Sequence, residues 1–169
     1  TCENQDAPAY KAYVDGSFYD GKVGYGAVIL NQGNIVEQLY GSLDTPDAIN
    51  ARQVGGEIQA VLEVVSWCEK NRVYDIAVYY DFQNIEKWAK GEYKTNTPMT
   101  QAYKIAIDLT PVRIEWHKVK SHTGDTYNDL ADELAKKGAS ESARNVKNRQ
   151  TRQLNGWIVY NGSLNLPKF

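Results

Sequence analysis

Four acidic side chains and one histidine are the residues of this chain best suited to chemistry: Asp15, Glu57, Asp81, Asp132 and His122. Each carboxylate falls at the edge of an apolar element. Asp15 follows the short run Tyr10–Val14, and Glu57 follows the pair Gly55-Gly56 early in a helical pattern. Asp81 ends the run YDIAVYY, and Asp132 sits beside the apolar stripe of a late helix. Bringing four carboxylates together without a cation would cost heavily in repulsion and raised pKa values. Hard divalent cations offset that cost. Mg²⁺ takes oxygen ligands and keeps several waters, which leaves places for phosphate oxygens. Two such ions about 4 Å apart suit an in-line phosphoryl displacement. His122, in the polar loop 120–124, suits proton shuttling around product release. Each residue also has a plainer reading. Asp15-Gly16 is a common turn dipeptide, and a lone loop histidine is more often a surface residue. His117 lies inside a strand pattern and reads as structural.

The elements that must position these groups follow from periodicity. Strands are predicted at about 10–15, 23–31 and 34–40, with Asn31 to Asn34 turning the last two into a hairpin. A polar loop with Asp44, Pro46 and Asp47 leads to a helix from about 50 to 70. Its apolar face is Ile58, Val61, Leu62 and Val65. Gly55 and Gly56 in its first turns each cost on the order of 1 kcal/mol relative to Ala. The pair therefore implies something large packed on the backbone, either a neighbouring strand or a nucleic-acid backbone. The near-continuous apolar run 74–80 reads as a central parallel strand covered on both faces. It ends at Asp81, at the carboxyl edge where open α/β sheets gather ligands.

A short helix near 83–90 ends at Gly91. Thr97-Pro98 starts another that reaches about Leu109, and Pro111 opens a last core strand over 112–119. Asp125 caps a helix whose stripe is Ala131, Leu134, Ala135 and Gly138. At about 100° per residue, Asp132 and Asn128 lie on the flank of that stripe and Asp129 points away. Residues 139–169 differ in character: basic to about 153, then a strand-like core from Trp157 to Tyr160.

Composition bounds the partners. A length of 169 residues and a 42% hydrophobic share suit one globular domain with a sizeable core. No apolar stretch reaches membrane-span length, and the polar start TCENQDAPAY lacks a signal peptide's apolar core. Cys2 and Cys68 have no metal-ligand spacing, and Cys68 reads as a small buried hydrophobe. The expected location is a reducing, cytoplasmic compartment. The net charge of −2 lacks the global basic signature of a nucleic-acid binder. It does not exclude one, because a carboxylate-rich metal site lowers the charge of the surface that binds. The basic runs at Lys118 and Lys120, Lys136 and Lys137, and Arg144 to Arg152 read equally well as solvated faces.

Taken in order, these pieces resemble ribonuclease H type 1. The matching residues are Tyr13-Val-Asp-Gly-Ser17 with Gly24-Tyr-Gly-Ala-Val28, then Gly56-Glu57, then Tyr79-Tyr-Asp-Phe-Gln83. Val119-Lys-Ser-His-Thr-Gly124 with Asn128 and Asp132-Glu-Leu-Ala135 completes the set. The stretch YYDFQNIEKWAKGEYKTN is similar to a bacterial subgroup often fused to an N-terminal, viroplasmin-like hybrid-binding domain. The resemblance implies an α/β ribonuclease H-like fold over residues 10–138. Its core is a mixed five-stranded sheet, antiparallel strands first and then parallel, flanked by helices. Residues 1–9 are left as a tail and 139–169 as an extension.

The resemblance further implies a metal-dependent endonuclease that hydrolyses the RNA strand of RNA/DNA hybrids, leaving 5′-phosphate and 3′-hydroxyl ends. Asp15, Glu57, Asp81 and Asp132 would hold two Mg²⁺, with Mn²⁺ able to substitute, and His122 would assist turnover. Gly16 and Ser17 would lie against the RNA strand, with Gln83 and Asn128 as further hybrid contacts. Recognition would rest on 2′-hydroxyls and on salt-dependent phosphate contacts. The expected state is a monomer with no membrane partner.

Two departures stand out. The segment Arg52-Gln-Val-Gly-Gly56 replaces Asn-rich sequences of many family members, so Arg52 and Gln53 are candidate substitutes in substrate binding. The connection between the helices at 83–90 and 97–109 has no basic protrusion, only Lys87, Lys90 and Lys94 nearby. An upstream hybrid-binding domain would supply the missing affinity. Competing readings are a resolvase- or transposase-like nuclease, disfavoured by the spacing around His122 and Asp132, and a catalytically silent hybrid-binding module, disfavoured by the presence of all four acids.

Overall fold

The computed structural model describes residues 7–120 and 125–141, together with the backbone of 158–160 and 163–165. Three long strands come first: β1 (Tyr10–Tyr19), β2 (Lys22–Asn31) and β3 (Asn34–Leu43). They pair antiparallel, and β1 also pairs in parallel with β4 (Asp75–Tyr80), which pairs in parallel with β5 (Arg113–Lys118). The sheet order is β3-β2-β1-β4-β5. This is the mixed five-stranded sheet expected from the sequence.

The first hairpin corrects one expectation. β1 runs straight through Asp15, because Asp15, Gly16 and Ser17 stay opposite Gly26, Tyr25 and Gly24 of β2. The turn falls at the next Asp-Gly pair, Asp20 and Gly21, with φ of 52° and 74°. Positive φ at both central residues is what a two-residue hairpin turn requires.

The expected helix from 50 to 70 is two helices. α1 (Pro46–Ala51) forms in the predicted loop, capped by the Thr45 side chain, with Pro46 opening it. Arg52 then takes φ 54°, and α2 (Gln53–Lys70) starts in a new direction. α3 (Asn84–Lys90) ends at left-handed Gly91. α4 (Pro98–Leu109) begins with a reciprocal Thr97/Thr100 capping box. α5 (Thr126–Ser140) is capped by Asp125, whose carboxylate accepts from the N–H groups of Tyr127 and Asn128. Toward the C-terminus, β6 (Ile158–Tyr160) pairs antiparallel with β7 (Ser163–Asn165).

Strand alternation sends side chains to two layers. Ala12, Val14, Ile76, Val78 and Tyr80 face α2 and the buried residues Ile58, Val61, Leu62, Val65, Ile85 and Tyr103. Tyr13, Val28 and Leu30 face α5 through Ala131 and Leu134. α5 covers β1, β2 and β3. Cys68 is buried, as its helical position suggested.

Both helices approach the sheet through residues with little or no side chain. A Cβ on Gly56 would land on the Gly24 carbonyl and the Gly16 Cα. A Cβ on Gly24 would collide with the α5 backbone at Ala135 and Ala139, and one on Gly138 with the backbone of Gly41. The large object packed on Gly56 is therefore the sheet itself. Among the described residues, no helix is long and apolar enough to cross a membrane.

Candidate active site

Four elements deliver one carboxylate each toward the same edge of the sheet. Asp15 comes from β1, Asp81 from the residue after β4, Glu57 from the second turn of α2 and Asp132 from α5. Glu57 is the most enclosed, only 4% exposed. Its Oε1 accepts the backbone N–H of Asp81 at 2.8 Å and of Phe82 at 3.3 Å. This ties α2 to the end of β4 and aims the carboxylate at the point where Asp81 leaves the strand. Burial pushes Glu57 up to about 8, helped by the charges of Asp15 and Asp81 and opposed by those two N–H donors.

Asp15 is half-buried, and its Oδ1 accepts the N–H of Gly16 at 2.8 Å. Burial again leads in raising it, to about 7, followed by the charges of Asp132 and Asp81 and a hydrogen bond with Asp132. Asp132 also pairs with Lys136 one turn along α5, at 2.9 Å. The flank position read for Asp132 holds, and Asp129 is exposed, as expected. The sequence places Lys136 only in a basic run; its i, i+4 spacing from Asp132 is the signal that finds such pairs.

The donor set fits a hard divalent cation: every candidate group offers oxygen, and the two raised carboxyls are groups that a nearby positive charge would ionise. Among the described residues, no three acid, histidine or cysteine side chains already stand close enough to hold one ion. A hard ion that keeps most of its waters would need only one or two of these carboxylates. His122 lies outside the described residues. His117 stacks on Tyr79 and pairs with Glu115 at 2.6 Å, in keeping with a structural role.

The candidate substrate contacts are dispersed around this edge. Gly16 has an internal reason to be glycine, since a Cβ there would collide with the backbone of Gln53 and Glu57. Ser17 is half-buried beside it. Arg52 is exposed and lays its guanidinium over the Phe18 ring at 5.6 Å. Gln53 is exposed at the start of α2. Gln83 precedes α3, with its Nε2 donating to the Tyr93 hydroxyl at 3.4 Å. Asn128 is 7% exposed. The cations of the α3 region are engaged locally, Lys87 with Glu92 at 2.9 Å and Lys90 with Glu86 at 3.5 Å.

Comparison with known proteins agrees with this architecture. The RNase H family model matches residues 7–140. A Ribonuclease H of Brucella anthropi is 32% identical over 139 residues, covering 76% of this chain and 88% of the relative. One from Rhizobium johnstonii is 35% identical over 130 residues, covering 70% of this chain and 82% of the relative. Among solved structures, RNase H1 of the halophilic archaeon Halobacterium salinarum superposes with a TM-score of 0.64 at 23% identity, covering 76% of this chain and 96% of that one. LC11-RNase H1, solved in complex with an RNA/DNA hybrid, gives 0.61 at 19% identity, covering 77% and 96%. The chain belongs to the RNase H family. It is thus an enzyme, a hydrolase of the class that degrades RNA in RNA/DNA hybrids and depends on divalent metal.

Proposed function

We propose that Asp15, Glu57, Asp81 and Asp132 together hold two Mg²⁺, with Mn²⁺ able to substitute, and cut the RNA strand to 5′-phosphate and 3′-hydroxyl ends. The observation that carries this reading is the delivery of four carboxylates by four separate elements to one sheet edge, with Asp15 and Glu57 raised to about 7 and 8. When bound, the metal supplies a nucleophile at neutral pH and charge stabilisation at the scissile phosphate. The chain's part is to orient and exclude. Glu57 is held by two backbone donors, and Asp15 by one. Asp132 reaches the site from a helix braced against the sheet. His122 moves protons as product leaves. Gly16, Ser17, Arg52, Gln53, Gln83 and Asn128 ring the site where a hybrid would lie.

The ribonuclease H domain of this reading spans 10–138 and works as a cytoplasmic monomer, with 1–9 a tail and 139–169 an extension. The locally paired lysines around α3 support a helper for hybrid binding, and a viroplasmin-like domain on the same polypeptide would serve.

The test is a cleavage assay on end-labelled RNA/DNA, RNA/RNA, DNA/DNA and single-stranded RNA, with Mg²⁺, Mn²⁺ or EDTA. Metal-dependent cutting of RNA in the hybrid alone is expected. Asp81→Asn should abolish cutting while hybrid binding is kept or strengthened, since a negative charge facing phosphate is lost. Undiminished cutting by Asp81→Asn would sink the site assignment. Binding without cutting by the unaltered chain would favour a silent module.

A further inference from the structure

Tyr13 stands two residues before Asp15, and Tyr79 two before Asp81. The pleat of β1 places Tyr13 on the same face of the sheet as Asp15, and Asp81 follows directly on the last residue of β4. Tyr13 and Tyr79 are register partners across the parallel pair β1–β4. Their rings stack with centroids 4.6 Å apart and planes 12° from parallel. His117, opposite Tyr79 on β5, continues the stack at 4.7 Å and 15°. At the other end Tyr127, in the first turn of α5, leans on Tyr13 at 5.6 Å. The buried Tyr13 phenol faces Asp125, the cap of α5. Burial first, then the Asp125 charge, push this phenol up to about 12.

One layer of rings therefore joins the three elements that carry Asp15, Asp81 and Asp132, one pleat beneath the acids. Strand alternation asks only for apolar bulk at these positions. Flat rings with few rotatable bonds do more, because they resist the sliding and splaying that mutually repelling carboxylates above them would drive.

We infer that the Tyr13–Tyr79 stack, with Tyr127 leaning on it, is a positioning layer that sets the relative placement of Asp15, Asp81 and Asp132 for divalent-cation binding. This rests on the reading of those acids as metal ligands. Tyr13 and Tyr79 act through the strands and touch neither cation nor substrate.

The experiment is calorimetric titration of Mg²⁺ and of Mn²⁺ into the full chain without nucleic acid, well below the melting temperature of each variant, for wild type, Tyr13→Phe, Tyr13→Leu and Tyr79→Leu. The two Leu variants should bind cation about tenfold more weakly, the scale seen when groups supporting metal ligands are removed. Tyr13→Phe keeps the stack and should stay close to wild type. In cleavage, the Leu variants should lose kcat at limiting metal and regain it at high metal, with KM for hybrid unchanged. If a Leu variant does not fold, the half-exposed Tyr127→Leu carries the same expectation. Leu variants that melt earlier yet bind cation as wild type does would overturn the inference, leaving the rings as core filler. A wild-type chain that binds no cation would instead overturn the ligand reading, and the inference with it.

Discussion

The antiparallel half of the sheet and its parallel edge are built on opposite principles. Strands β1 to β3 are clasped between α2 and α5 by Gly16, Gly24, Gly56 and Gly138, where backbone meets backbone and a single added carbon has no room. The β1–β4 edge instead gathers charge and polar rings: Asp15, Asp81, Tyr79 and His117, half-buried, with Glu57 reaching in behind. The first region spends its packing on rigidity. The second tolerates electrostatic repulsion that the first holds in place. Rigidity next to a frustrated charge cluster is what a metal-loaded site needs, since ligands must stay near geometry that they would not choose alone.

The largest effect should come from filling the clasp. Gly56→Leu puts a side chain into the Gly24 carbonyl and should cost at least about 3 kcal/mol of stability, or prevent folding. Urea denaturation measures this, and a loss under about 1 kcal/mol would show the two layers to be less tightly joined than the backbone approach at Gly56 implies. Next comes metal loading. Mg²⁺ at 100 times its dissociation constant should stabilise the wild-type chain by about 2.7 kcal/mol, visible as a raised Tm. Asp15→Asn should lose most of that gain while folding normally.

A pH series sharpens the electrostatic side. Glu57 has its folded pKa raised from 4.5 to about 8, and Asp15 from 3.8 to about 7. A carboxyl raised on folding favours the native state while protonated. The stability it contributes is full below its unfolded pKa and is lost as pH rises through its folded value. The metal-free chain should therefore weaken between about pH 4 and pH 8, and Glu57→Gln should flatten that fall. Equal slopes for wild type and variant would remove Glu57 as its cause. The smallest effect belongs to Lys136. Its exposed pair with Asp132 is screened by water, so Lys136→Met should tighten Mg²⁺ binding by less than about fivefold, with Tm of the metal-free chain nearly unchanged. A weaker affinity in this variant would mean that Lys136 supports the site instead of competing for Asp132.

Much of this was legible one residue at a time. The α2 and α5 stripes, the strand ending at Asp81, the Thr97 and Asp125 caps and the flank position of Asp132 all follow from period and local chemistry, which act within a few residues. The first hairpin was misplaced because Asp15-Gly16 and Asp20-Gly21 are equivalent as dipeptides, and only pairing across to Gly24 and Gly26 distinguishes them. The break at Arg52 was hidden because its positive φ falls on an arginine, with no glycine or proline to mark it.

The linear chain thus determined which residues are acidic, which element carries each, and where helices begin and strands alternate. Tertiary structure alone decided that Gly56 meets the sheet, that Glu57 accepts the N–H groups of Asp81 and Phe82, and that Tyr13 stacks on Tyr79. Local preference is written in neighbours along the chain. These contacts join residues far apart in sequence, and their energies exist only once loops have closed and the layers have packed.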